Sequence, residues 1–119
     1  MRRSYLYLLL IIVTSLPAGE ADVLDVVIKH SFDDVYEFNV SVKHDDQGWD
    51  HYANGWEVLT PGGETIDVRV LHHPHKNEQP FTRSMYIKIP QDISEVTVRA
   101  HDNVHEYGGQ EKTLKIPGR

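Results

Sequence analysis

Eight histidines lie in this chain, and seven of them fall in three short stretches: His44 with His51, His72 with His73 and His75, and His101 with His105. Imidazole nitrogen suits Cu(II), Zn(II), Ni(II) and Fe, so these stretches could share one cation if the fold brings them to one place. Asp46, Asp50 and Asp102 lie beside them. There they could hold ring N–H groups and orient the imidazoles, or simply cap turns, as Asp does routinely. The absence of Cys excludes a thiolate site, a disulfide framework, a thiol nucleophile and a lipid anchor on Cys.

The spacing gives each pair a geometry. His73-Pro74-His75 sets two rings at i and i+2, on one side of an extended backbone, while His44 and His51 flank one loop and His101 and His105 another. The candidate ligands are therefore His44, His51, His73, His75, His101 and His105, for one Cu(II), Zn(II) or Fe ion. Each pair alone is compatible with ordinary surface histidines. His30 lies apart from all of them and reads as structural. Trp49 and Tyr52 are expected to pack over the end of the core, with walling a pocket as the alternative. Arg83 could receive an anion or pair with a neighbouring carboxylate. Met85 is the only Met beyond the first residue and is expected in the core, which argues against a soft Cu(I) site.

The elements that must position these side chains read as strands. From Val23 onward apolar residues recur every second position and turn residues interrupt them every eight to twelve, the pattern of half-buried β-strands. Seven strands are expected: Val23 to His30, Val35 to Lys43, Asn54 to Leu59, Thr65 to Leu71, Arg83 to Ile89, Glu95 to Ala100 and Glu111 to Ile116. Tyr36, Phe38, Val40 and Val42 share one face of the second. Ile66, Val68 and Val70 are expected inward on the fourth. Pro61-Gly62-Gly63-Glu64 reads as a hairpin turn, and Pro117-Gly118-Arg119 as a frayed tail. The expected fold is all-β, a seven-stranded antiparallel immunoglobulin/fibronectin III-like sandwich, with a small open barrel as the competing architecture. If successive strands run up and down, the second, fourth and sixth exit at the same end, and that end carries the seven clustered histidines.

The first residues pair Arg2 and Arg3 with an apolar run from Tyr5 to Leu16 and then small residues, the layout of a secretory signal. A run this short falls well below the roughly 20 residues of a spanning helix. Residues 1–21 are expected to be a signal cut after Ala21, and residues 22–119 a single domain, periplasmic or secreted, with no stable transmembrane span after processing. Twelve basic against eighteen acidic side chains give a formal net charge of −6, which removes the electrostatic footprint of a nucleic-acid binder. No Gly-rich phosphate loop, nucleophile elbow or HExxH pattern occurs, so no nucleotide cofactor, serine hydrolysis or zincin proteolysis is expected.

Two segments resemble a known family. Val42 through Leu59, with His44, then Trp49-Asp50-His51-Tyr52 and Trp56-Glu57, looks like the superoxide reductase (desulfoferrodoxin and neelaredoxin) segment in which two ligand His flank a loop before a Trp-bearing strand. Asp102-Asn103-Val104-His105 is similar to that family's Cys-Asn-x-His-Gly loop. The resemblance implies an immunoglobulin-like sandwich and, at His44, His51 and His105, ligands of a mononuclear iron held there by four His and one Cys. Asp102 stands at the Cys position, Glu106 at the Gly position, and the His44 to His51 spacing is one residue longer. The Trp-Asp-His-Tyr, His-His-Pro-His and Glu-Gln-Pro-Phe-Thr-Arg-Ser stretches also look like small bacterial secreted proteins of no assigned function.

Three functions follow. The first is an exported metal carrier or accessory to a redox system. The second is a non-catalytic immunoglobulin-like module that binds an envelope or redox protein partner. The third is a superoxide reductase-like oxidoreductase. The chain reads as a binder rather than an enzyme.

Overall fold

In a computed structural model, residues 19–119 are described, so the expected signal segment lies outside the described residues except for residues 19–21. Seven strands follow the period-two pattern: β1 (Asp22–Phe32), β2 (Val35–Lys43), β3 (Ala53–Leu59), β4 (Thr65–Val70), β5 (Phe81–Lys88), β6 (Glu95–Asp102) and β7 (Lys112–Lys115). They form two antiparallel sheets, β1-β2-β5 and β4-β3-β6-β7, packed as a sandwich. Between them Phe38, Val40 and Val42 of β2 and Phe81 and Ile87 of β5 meet Trp56 and Val58 of β3 and Val96 and Val98 of β6. Each such buried side chain contributes roughly 1.5–3 kcal/mol. This core stands in place of any disulfide. No helix among the described residues is long and apolar enough to cross a membrane.

Two features depart from the sequence reading. On β4, Val68 and Val70 face outward and are 47% and 51% exposed, not inward as expected. A bulge between Val58 and Leu59 shifts the register, so Asp67 and Arg69 pair with the inward Val58 and Trp56 while Val68 and Val70 lie opposite Glu57 and Gly55. A one-residue slip turns every side chain to the other face. The tail is not frayed. The Arg119 guanidinium donates to the carbonyls of Pro90, Ile93 and Ile89 and to Asp34 Oδ1, joining the C-terminal segment to the strand ends. Upstream of β1, Ala21 is 1% exposed and packs into the core.

Candidate metal centre

The inward parity of two strands continues past their apolar residues and ends in polar groups. On β2 the buried series Tyr36, Phe38, Val40, Val42 runs on through His44 to Asp46, and on β6 Val96, Val98, Ala100 runs on to Asp102. Core packing thereby carries an imidazole and two carboxylates into the end of the sandwich, where His44, Asp46 and Asp102 are all buried. β6 extends two residues further than expected, pairing Asp102 with Ala53. That extension makes Asp102 a rigid strand residue, not a loop one.

His44 is held by an oriented carboxylate. Its Nδ1 donates to Asp46 Oδ1 at 2.5 Å, and Asp46 in turn accepts the amides of Ala53 on Oδ1 and of His75 on Oδ2, at 3.0 and 2.6 Å. Such a carboxylate fixes the tautomer and presents the far nitrogen, Nε2, as a ligand. His51 reaches the same point from a tight turn in which its amide donates to the Gly48 carbonyl at 3.2 Å. Gly48 has φ +117°, a conformation open to glycine and costly for other residues. His44 Nε2 and His51 Nε2 lie 3.2 Å apart. Asp102 Oδ1 lies 3.5 Å from His51 Nε2.

Asp102 is 0% exposed. Its Oδ1 accepts the amides of Val104 and His105, at 2.8 and 2.6 Å, and lies 3.3 Å from His105 Nδ1. Its Oδ2 is buried with no hydrogen-bond partner among the described residues, an omission that costs roughly 1–3 kcal/mol or more for a charged group. Burial pushes this carboxyl up, but the His105 and Val104 amides and the His105 and His44 rings outweigh it and hold the group below its ordinary value. One ligand atom from each of His44, His51 and Asp102 lies within 4.8 Å of the others, so the three could hold a metal ion.

The other expected residues separate from this group. His101 faces the opposite side of β6 from Asp102, with Nδ1 against Asn54 Oδ1 at 2.5 Å and its ring on the edge of Tyr107. Period-two alternation cannot send both neighbours to one centre. His73 and His75 also diverge. The His75 ring stacks on Phe81 at 4.1 Å and takes a 3.0 Å contact from Arg83 at Nε2, whereas His73 is exposed beside Trp49. Burial first, then the Arg83 guanidinium, hold the His75 ring below its ordinary value despite Asp46 and Glu78. Arg83 pairs with Glu78 at 3.2 Å. Asp50 is exposed in the turn. Trp49 does not cover the core: it is 64% exposed and walls a cleft of about 530 Å³ with His73, His75 and Lys76. Tyr52 packs edge-on against it.

Two contributors escaped the sequence reading. Asn103 ties the loops together, accepting the Tyr52 amide at 2.8 Å and donating to the Trp49 carbonyl at 3.0 Å. The Gly19 carbonyl oxygen lies 3.0 Å from His44 Nε2 and 3.2 Å from His51 Nε2. No side-chain pattern signals a main-chain oxygen, and it lies in the segment read as an export signal.

No protein-family profile matches the chain. Over 97 residues it is 42% identical to a Halomicrobium mukohataei protein described as "Putative lipoprotein". The match covers 82% of this chain and 48% of that protein, so the chain spans about half the length of the relative it matches. Among solved structures, a superoxide reductase (neelaredoxin) from Ignicoccus hospitalis superposes with a TM-score of 0.51 at 13% identity, covering 82% of this chain and 78% of that one. The likeness agrees with the family resemblance in the two His-bearing segments, and at this identity it concerns the fold alone.

Proposed function

We propose that this chain is a metal-binding β-sandwich module of the cell envelope, holding one divalent cation, Zn(II) best, at His44, His51 and Asp102. The observation that carries it is the convergence of unsatisfied lone pairs. His44 donates a hydrogen bond from Nδ1 to Asp46, so the neutral ring offers only a lone pair at Nε2, and the buried Asp102 carboxylate, its Oδ1 3.5 Å from His51 Nε2, keeps an unpartnered Oδ2. A cation among them supplies the positive charge that these groups lack. Two imidazoles and a carboxylate suit Zn(II), which takes nitrogen and oxygen donors tetrahedrally. The four-His, one-Cys iron of superoxide reductases does not fit this donor set, because Asp102 replaces the thiolate and His105 Nδ1 lies against Asp102.

The chain's own residues prepare the site. Asp46 holds the His44 tautomer, the Val104 and His105 amides hold Asp102, and Asn103 locks the two loops in register. The lipoprotein description of the Halomicrobium mukohataei relative and the apolar N-terminal run support an envelope location. Lipid attachment through Cys is not open to these 119 residues. A role as carrier, or as accessory to a redox or envelope partner, follows if the ion is exchangeable.

The test is elemental analysis of protein purified without chelator or affinity tag, then competition titration with Zn(II) and Cu(II). About one ion per chain is expected at about pH 7.5, with binding weakened at about pH 5.5 as protons compete for the imidazoles. If His44→Ala and His51→Ala bind as tightly as the parent, the centre is elsewhere.

A further inference from the structure

Three donor atoms of the centre come from side chains, and a fourth acceptor already lies among them. The Gly19 carbonyl sits 3.0 Å from His44 Nε2 and 3.2 Å from His51 Nε2. With its Nδ1 proton committed to Asp46, a neutral His44 has nothing to donate to that oxygen. His51 Nε2 carries at most one proton, and it faces three acceptors: His44 Nε2, Gly19 O and Asp102 Oδ1. Hydrogen bonding within the protein leaves this cluster short of positive charge.

Four of the six spacings among these atoms approach those of a coordination shell. A tetrahedron with metal–ligand bonds of about 2.0–2.1 Å has edges of about 3.3–3.4 Å. The separations are 3.0 Å for Gly19 O to His44 Nε2, 3.2 Å for Gly19 O to His51 Nε2, 3.2 Å between the two Nε2 atoms and 3.5 Å for His51 Nε2 to Asp102 Oδ1, while the ligand atoms of His44 and Asp102 lie further apart, within 4.8 Å.

The segment carrying this oxygen is seated by contacts independent of any ion. Ala21 is buried in the core. The Gln110 amide donates to Asp22 Oδ1 at 2.7 Å, and the Val23 amide to the Gln110 carbonyl at 2.8 Å. Across from them the β6–β7 loop is hollowed by two glycines. A Cβ on Gly109 would land inside the Ala21 carbonyl, and one on Gly108 would meet Glu20 Cγ at 3.2 Å.

We infer that Gly19–Ala21 is a strap of the folded domain, and that the Gly19 main-chain carbonyl is the fourth ligand of the cation held by His44, His51 and Asp102. The inference rests on the metal-centre reading. It also requires that the working form of the protein retain Gly19, because a cut after Ala21 would remove both a ligand and a core residue.

The experiment reads the carbonyl directly. The chain has two Gly–Glu steps, Gly19–Glu20 and Gly63–Glu64, so carbonyl-13C glycine with 15N glutamate gives two signals in a carbonyl-edited amide spectrum of the 119-residue protein. One equivalent of Zn(II) is expected to move the Glu20 signal in its carbonyl dimension and leave the Glu64 signal, from the distant hairpin, in place. Co(II) in its place should broaden the Glu20 signal alone. If the His44 and His51 imidazole signals move while the Gly19 carbonyl does not, the ligand role of Gly19 is overturned and the centre stands. If neither moves, both are overturned.

A second measurement uses the seat. Gly109→Ala displaces the strap and is expected to weaken Zn(II) binding by about 10–100-fold, the range seen when a supporting contact at a metal site is lost. An affinity equal to the parent's overturns the ligand role. If the variant does not fold, the labelled parent still decides.

Discussion

The two ends of the sandwich treat charge in opposite ways. At one end, Arg119 spends its guanidinium on three carbonyls and on Asp34, at distances of 2.5 to 3.1 Å. Its cation is matched within the protein. At the other end, Asp102 Oδ2 and His75 Nδ1 are buried without partners among the described residues, and imidazole lone pairs face a carbonyl and a carboxylate. A polar cluster that completes its own hydrogen bonds is a structural clasp. One whose lone pairs and carboxylate converge on a point could hold a metal ion.

The largest effect that would break this contrast is at the ligands. Asp102→Asn keeps an oxygen for the Val104 and His105 amides and removes the charge. It should weaken Zn(II) binding by at least about 100-fold, more than the 10–100-fold loss expected for Asp46→Asn, which disturbs only the orientation of His44. Competition titration ranks the two, and equal losses would mean that Asp46 is itself a ligand. In the parent, Zn(II) at about 100 times its Kd should add about 2.7 kcal/mol of stability, and Asp102→Asn should erase that gain.

At the opposite end the signature is inverted. Arg119→Ala strands the carbonyls of Pro90, Ile93 and Ile89 and leaves Asp34 without its partner, which should cost about 2 kcal/mol. The loss would appear as a lower urea midpoint at constant slope, with Zn(II) affinity unchanged. A change in metal affinity would show that the two ends are coupled through the strands.

Much of this was legible in sequence because period two is a strong signal where one face is buried. The seven strands, the sandwich and the gathering of three loops at one end follow from it. The same rule read further would have placed His44, Asp46 and Asp102 inward, since each continues the parity of an apolar strand. Counting histidines instead favoured His73, His75 and His101, whose rings the backbone sends elsewhere. The β4 slip was not legible, because a bulge at Val58 and Leu59 depends on edge pairing rather than composition. Nor was the Gly19 oxygen, a main-chain atom placed by tertiary contact.

His75 sharpens the contrast through pH. Burial and Arg83 hold its ring below the ordinary value, so the folded protein takes up the proton less readily than the unfolded chain. Its contribution to stability is full above the unfolded value of about 6.5. It declines as pH falls below that, down to the folded value. Without metal, the drop in urea midpoint between about pH 7.5 and pH 5.5 should therefore be smaller in His75→Gln than in the parent. An equal drop would assign the acid sensitivity of this end to other groups.

The smallest expected effect concerns the turn that cradles Asp102. Glu106 has φ +63°, and its amide and carbonyl bond back to the Asp102 main chain at 3.1 and 3.0 Å, which keeps the Val104 and His105 amides on the carboxylate. Holding a non-glycine residue there costs roughly 1 kcal/mol. Glu106→Gly removes the strain but frees the unfolded chain, for a net gain of about 0.5 kcal/mol and an unchanged metal affinity. Glu106→Val cannot adopt this φ cheaply, so the turn should open at a cost of about 1–2 kcal/mol. Because opening withdraws the two amides, Zn(II) binding should weaken with it. Lost stability with undiminished affinity would show that β6 alone, without the turn, positions the carboxylate.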